Sequence, residues 1–344
     1  MVSMTKTPVF WDIVYVQEVM ATSDVAVLWD SVIRNPGFIV LRPTNGSKLL
    51  YRTVRSITSS STKTNDMKAL NRAIDDLRKR KTAPTVTLLD KKRFVGGLDY
   101  FEKARRWFAP STNEQQTCTD RKQQRSDCAV VVHNTWIVGK AAKVYRFREN
   151  LMWVYDGGDD QYYTSSTRRY MTYANHGLAS QRRTQSEKSE ISALKTAMTI
   201  GHLLNRTVIL PRFHQGPKAT ECPLNSLLHV RSFDSRFAGR YRESSFLRNP
   251  KVPTDVKAGL SKTFAVTVND DFGNSSATGR NVTVSGAAIV SEFGDVADRV
   301  LVFGSLCNVR VLLGNSSCNT AFNKKLREAF FRSNYKQLKR SVIN

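Results

Sequence analysis

Along the chain, short apolar runs alternate with stretches whose apolar residues recur at three- and four-residue spacings. Residues 13–16 (IVYV) and 37–41 (GFIVL) predict strands, the second following an Asn-Pro turn. Over residues 66–77 the apolar positions are Met67, Leu70, Ile74 and Leu77, which predicts a helix with one buried face. Residues 86–89 and 129–132 are nearly unbroken apolar runs with several β-branched members, the pattern of central strands. Residues 111–127 are polar and predict a loop. Strands alternating with helices imply an α/β sheet.

A break in composition follows Trp153. The stretch YDGGDDQYYTSSTRRY is polar, Gly-rich and aromatic, so residues 156–168 are expected to connect a first domain, 1–155, to a second, 169–344. The second opens with a predicted strand at 170–173 and a glycine loop, NHGLASQRR. A helix ending at Leu204 and a strand at 207–210 follow. Strand, glycine loop, helix, strand is the order of a Rossmann-type half. Residues 263–268, 287–290 and 300–303 predict further strands and 319–338 a helix.

Composition adds charge to this picture. The 344 residues carry 53 Lys and Arg against 29 Asp and Glu, a net +24. Such a surplus attracts polyanions or phosphorylated ligands. The bases are scattered through the chain, however, as on a solvated surface, and no nucleic-acid motif accompanies them. With 40% hydrophobic residues the chain can bury a core, which argues against wholesale disorder. No run of 18 apolar residues is present and the first residues show no signal-peptide pattern. By spacing, Cys118 could pair with Cys128 and Cys307 with Cys318, leaving Cys222 single; the absence of CxxC argues against a zinc site. Sequons begin at Asn45, Asn205, Asn274, Asn281 and Asn315.

Open α/β sheets bind ligands beyond the carboxyl ends of their strands. Polar residues stand near expected strand ends at Asp12, Asn35, Asp90 and His133. His133 suits a metal ligand or an acid/base, with a hydrogen-bonded structural histidine as the alternative. After it come Gly139, then Lys143, Arg146 and Arg148. A glycine opening a helix with basic first turns is a phosphate cradle, and beside a metal ligand it describes a metal–diphosphate site.

The segment HNTWIVGKAAKVYRFRENLMW, from His133, resembles the end of a nucleotide-diphospho-sugar transferase domain of the kind found in plant arabinosyl- and xylosyltransferases (glycosyltransferase family 77). DIVYVQEVM, NPGFIVLRPT, NDMKALN and LLDKKRFVGGLDYF resemble that family's metal motif, donor-sugar strand, acceptor-side helix and the loop before the closing strand. The resemblance implies a partial GT-A-type mixed sheet with flanking helices. It implies Mn²⁺ or Mg²⁺ held by Asp12 and His133, and a UDP-sugar diphosphate contacted by Lys143 after Gly139, with Lys140 a rival. Asn35 and Gly37 would line the donor sugar, and Asp66 would be the catalytic carboxylate, or else a helix-start residue with Asn65. A metal-dependent, retaining glycosyltransferase with a glycan or glycoprotein acceptor follows, in the Golgi lumen as part of a membrane-anchored parent, with no nucleic-acid partner.

Three departures favour a second reading, a degenerate transferase that binds glycan or nucleotide without turnover. The Asp-x-Asp motif is Phe10-Trp11-Asp12, Asp-Gln is Asp66-Met67, and the family's front nucleotide-binding units do not precede Asp12, so the chain is expected to be the back part of that domain. In the second half, GLASQRR, LNRTVILP, CPLNSLL and YRESSFLRNP resemble a fucosyltransferase-like Rossmann domain.

Overall fold

The computed structural model describes residues 13–30, 32–60, 64–103, 129, 131–153, 161–174, 187–215, 220–258, 263–264, 282–306 and 309–331. The architecture is mixed α/β, and the chain forms two compact units, Met1–Val138 and Gly139–Asn344.

In the first unit, α1 (Ile13–Thr22) leads into β1 (Val25–Asp30), which pairs antiparallel with β2 (Ile33–Leu41) and parallel with β3 (Val86–Leu88). The expected strand at 13–16 is therefore helical. Tyr15, Val16, Val19 and Met20 fall on one helical face and pack against Leu28 and Phe94; a four-residue apolar run could not tell helix from strand. The central strand β1 is buried on both faces. Val25 and Val27 meet Leu50 of α2 (Asn45–Ser60) and Leu70, Ile74 and Leu77 of α3 (Asp66–Lys79). Ala26 and Leu28 meet Leu89, Phe94 and Val131 on the other side, as the period of two requires. Burying Leu70, Ile74 and Leu77 contributes roughly 1.5–3 kcal/mol each. Asn65 caps α3, accepting from the Lys68 N–H at 2.9 Å.

β2 is longer than the 37–41 run because it starts before Pro36. Asn35 lies opposite Leu28 but Ile39 opposite Val27, so residues 36–38 bulge out of the ladder. An edge strand tolerates this, and Pro36 has no N–H to lose. β4 (Phe94–Gly96) and β5 (Val131–His133) form a parallel pair. The expected 129–132 strand thus includes His133 itself.

The second unit opens with α4 (Lys140–Glu149). It is built on a five-stranded parallel sheet of order β10-β7-β6-β13-β11. The strands are β6 (Tyr170–Tyr173), β7 (Thr207–Ile209), β10 (Tyr241–Arg242), β11 (Thr263–Phe264) and β13 (Val300–Phe303). Between β6 and β7 runs α5 (Glu187–Leu203), with Ala193, Leu194, Ala197 and Ile200 fully buried. β8 (Phe213–Gln215) and β9 (Thr220–Cys222) form a hairpin, and α6 (Val230–Phe237) precedes β10. β12 (Val282–Ser285) pairs with β14 (Val309–Leu312), and α8 (Ser317–Phe331) follows. The strand expected at 287–290 is instead α7 (Gly286–Phe293). Ser285 caps it, accepting from the Ala288 N–H at 3.1 Å, and Ile289 and Phe293, four apart, are buried. Cys318 is a free thiol, exposed at the start of α8, so the Cys307–Cys318 pairing is not made. Cys118 and Cys128 lie outside the described residues, as does the glycine loop at 175–186. No helix among the described residues is long and apolar enough to cross a membrane. Asn45, Asn205 and Asn315 are exposed; Asn274 and Asn281 are outside the described residues.

A buried carboxylate organises this unit. Glu243 accepts from the Tyr162 and Tyr163 hydroxyls at 2.5 and 3.0 Å. The guanidiniums of Arg148 and Arg242 lie over the Tyr162 ring, 3.5 and 4.0 Å from its centroid. Burial pushes the Glu243 carboxyl above its ordinary range, against the lowering effect of the tyrosine hydrogen bonds.

Candidate functional site

In the first unit, polar residues gather where the end of β1, the bulge of β2, β4 and the chain after β5 meet. Asp30 ends β1 and is only 3% exposed. Its Oδ2 accepts from Asn35 Nδ2 at 2.9 Å and its Oδ1 from Trp136 Nε1 at 3.1 Å. Asn35 Oδ1 in turn accepts from the Gly37 N–H at 2.9 Å, so both ends of that amide are used. Among the described residues no cation pairs with Asp30. A carboxylate out of water with only neutral donors is costly, and each of its oxygens still has a free lone pair for a ligand hydroxyl or cation.

Three glycines make room for this cluster. A Cβ on Gly37 would fall inside the imidazole of His133, against Nε2, Cε1 and Cδ2. A Cβ on Gly96 would meet the Asp30 carboxylate, with Cγ at 3.0 Å. One on Gly97 would meet the Thr135 backbone, with N at 2.6 Å and C at 3.1 Å. Gly97 also donates its N–H to Thr135 Oγ1 at 2.9 Å. The turn after β5 is tight, Thr135 N–H reaching the His133 carbonyl at 2.7 Å. It carries Trp136 at φ 60°, a left-handed conformation that costs a bulky residue about 1–3 kcal/mol. The hydrogen bond to Asp30 and the packing around it hold the indole there.

Of the expected site residues, the structure brings Asn35, Gly37 and His133 together. Asp66 is exposed on the first turn of α3, its carboxylate accepting from the Met67 N–H at 2.8 Å, while the capping position belongs to Asn65. Asp12 lies outside the described residues. Gly139, Lys140 and Lys143 belong to the second unit. Gly139 stands at the N-cap of α4 with φ 97° and supplies no side-chain cap, so the first-turn N–H groups are left for another acceptor. Lys143 is half-buried, and burial, then the Arg146 charge, push its ammonium below the usual lysine range. Lys140 is exposed. Among the described residues no three His, Cys, Asp or Glu side chains converge as a metal site.

Asp30, Trp136 and Gly96 were not expected from the sequence. Asp30 could have been found as His133 was, since VAVLWD is an apolar run ending in a carboxylate. Its partner Trp136 is 106 positions away and left no such signal.

Residues 11–147 match the family model for nucleotide-diphospho-sugar transferase. The transferase match covers the Asp30–His133 cluster and extends through Gly139 and Lys143. It suggests glycosyl transfer as the reaction class and implies a nucleotide-sugar donor. No curated protein and no solved structure matches the chain.

Proposed function

We propose that the chain transfers a sugar from a UDP-sugar to a glycan or glycoprotein acceptor, with the Asp30–Asn35–Gly37–His133 cluster as the floor of the donor-sugar site. The observation that carries this reading is the Asp30 carboxylate, buried with two neutral donors and, among the described residues, no cation. Sugar hydroxyls are the donors such a group lacks. Gly37 supports the reading, because its missing side chain keeps one face of His133 close to the backbone and the position itself is exposed.

Sugar transfer requires the nucleoside diphosphate to leave with its charge neutralised. By the sequence resemblance, Lys143 after Gly139 would supply a cation for that role. A divalent ion, when bound, would supply Lewis-acid stabilisation of the leaving diphosphate. His133 fits as one ligand; Asp12 would be the second, and phosphate oxygens would have to complete the shell. Asp30 fits the metal less well, because both its oxygens already accept protein N–H groups. Asp66, exposed at a helix start, is free to orient an acceptor hydroxyl or face a developing oxocarbenium ion. Family 77 specificity, retention of configuration, a fucosyltransferase-like second domain and a Golgi-lumenal setting rest on sequence resemblance alone.

Titrating the full chain with UDP and a panel of UDP-sugars, with and without Mn²⁺, tests this reading. Metal-enhanced binding that His133→Ala weakens at least tenfold supports it. No binding of any UDP-sugar would sink it. Metal-enhanced binding without sugar release or transfer would favour the degenerate, binding-only reading.

A further inference from the structure

The second unit carries a cavity that the donor site does not use. It occupies about 250 Å³ at the amino end of β7, the opposite edge from the carboxyl ends where open parallel sheets carry their ligands. Four elements wall it: the last turn of α5, the start of β7, the end of α6 with its turn into β10, and α8.

The walls are apolar and the rim is cationic. Met198, Val208 and Phe237 line the interior. The His202 and Phe322 rings stack at 4.1 Å with 4° between their planes, presenting a flat aromatic surface. Around this lie Arg206, Arg236, Arg240 and Lys325. Only Arg236 has a carboxylate partner among the described residues, Glu328 at 3.2 Å. Arg240 is held by a neutral group, donating to Asn205 Oδ1 at 2.8 Å. Arg206 is 1% exposed; its two terminal nitrogens bond the carbonyls of Tyr170, Val296 and Asp298. Its Nε–H has no hydrogen-bond partner among the described residues.

Arg240 and Lys325, neither with a carboxylate partner among the described residues, repel one another at the rim of one small cavity. His202 lies beside these charges. Burial first, then Arg240 and Lys325, push its imidazole below the usual range, against a hydrogen bond with Asn319. An anion at the rim would relieve the repulsion. The forked guanidinium of Arg240 matches the several oxygens of a phosphate better than a single charge. The volume lies below the roughly 300–1,000 Å³ of drug-sized pockets, enough for one ring and its phosphate but not a nucleotide-diphosphate sugar.

We propose that this cavity binds a compact phosphomonoester with an aromatic body, the ring against the His202–Phe322 stack and the phosphate between Arg240 and Lys325 at the rim. The site lies outside the 11–147 transferase match, so it stands or falls separately from the donor reading.

Isothermal titration of the full chain with phenyl phosphate, inorganic phosphate and benzyl alcohol at fixed ionic strength tests it. Phenyl phosphate is expected to bind one to one, about tenfold tighter than inorganic phosphate through the buried ring, while benzyl alcohol shows no saturable binding. Arg240→Gln and Lys325→Gln, both at exposed positions, should each weaken phenyl phosphate roughly three- to tenfold. Lys251→Gln, an exposed lysine outside the cavity lining, should leave it unchanged. Binding lost equally in Lys251→Gln would mean attraction to the net +24 of the chain and overturn the site, as would binding indifferent to Arg240 and Lys325. Equal affinity for inorganic phosphate, or no saturable binding of phenyl phosphate, would also overturn it.

Discussion

The imidazole of His133 lies where a side chain on Gly37 would have to be. A glycine in the bulge of one strand and a histidine at the end of another are thereby fixed against each other. The position shows no positive φ, so the requirement for glycine is one of space.

That distinction orders the glycine variants. In Gly37→Ala the new methyl meets the far end of a side chain, and His133 can rotate away; the expected stability cost is about 1 kcal/mol. In Gly97→Ala the methyl meets the Thr135 backbone, which cannot yield without moving the turn that bears Trp136. The expected cost there is larger, roughly 2–4 kcal/mol. Urea unfolding of both variants checks the order; equal costs would contradict it.

Asp30→Asn should be destabilising although it removes a buried carboxylate that pairs with no cation among the described residues. An amide offers one acceptor where Asn35 Nδ2 and Trp136 Nε1 each need one, so one donor would face an NH₂ group. The expected loss is about 1–3 kcal/mol. Trp136→Phe should cost less, roughly 1 kcal/mol, because it removes the indole donor and leaves the Asn35 bond intact. Chemical denaturation measures both.

The transferase segment was legible because its signals are local: an apolar run entering His133, a glycine before a basic helix, Asn-Pro-Gly-Phe ahead of a strand. The α3 helix was legible for the same reason, its apolar stripe and Asn65 cap lying within one short stretch. The segments at 13–16 and 287–290 misled because a short apolar run has no period, and only packing partners such as Phe94 or the Ser285 cap decide its form. The Asp30–Trp136 bond and the cavity over β7 join residues from distant parts of the chain, and no spacing rule encodes such meetings.

Acid should weaken the first unit through Asp24. Hydrogen bonds from Thr44 first, then from the Thr85 N–H and hydroxyl and from Arg42, hold its carboxyl down to about 2 against an ordinary 3.8, with burial opposing. A carboxylate with a depressed folded pKa stabilises above its unfolded value. The contribution is therefore complete above about pH 4 and disappears as pH falls toward 2. The wild type should lose stability over that window, and Asp24→Asn should lose less of it. A variant with an unchanged acid slope would contradict the assignment.

Glu243 should act in the opposite sense on the second unit. Its folded pKa is raised, so the folded state binds more protons than the unfolded one above the ordinary value of 4.5. Its effect on stability therefore declines as pH rises from that value through the folded pKa. Glu243→Gln should flatten this dependence, and it should fold, because tyrosine hydroxyls can accept from an amide as well as donate to one. Thermal unfolding across pH 4–8 provides the comparison; an undiminished slope in the variant would contradict it.

The most direct test of the account is donor affinity in Gly37→Ala beside the wild type. Calorimetric titration of each with the UDP-sugar that binds best, in saturating Mn²⁺, isolates the displacement of His133 in a protein that remains folded. The account predicts at least a tenfold loss of affinity in Gly37→Ala with its unfolding midpoint little changed. Equal affinity in the two proteins would contradict the placing of the donor sugar at Asp30, Gly37 and His133.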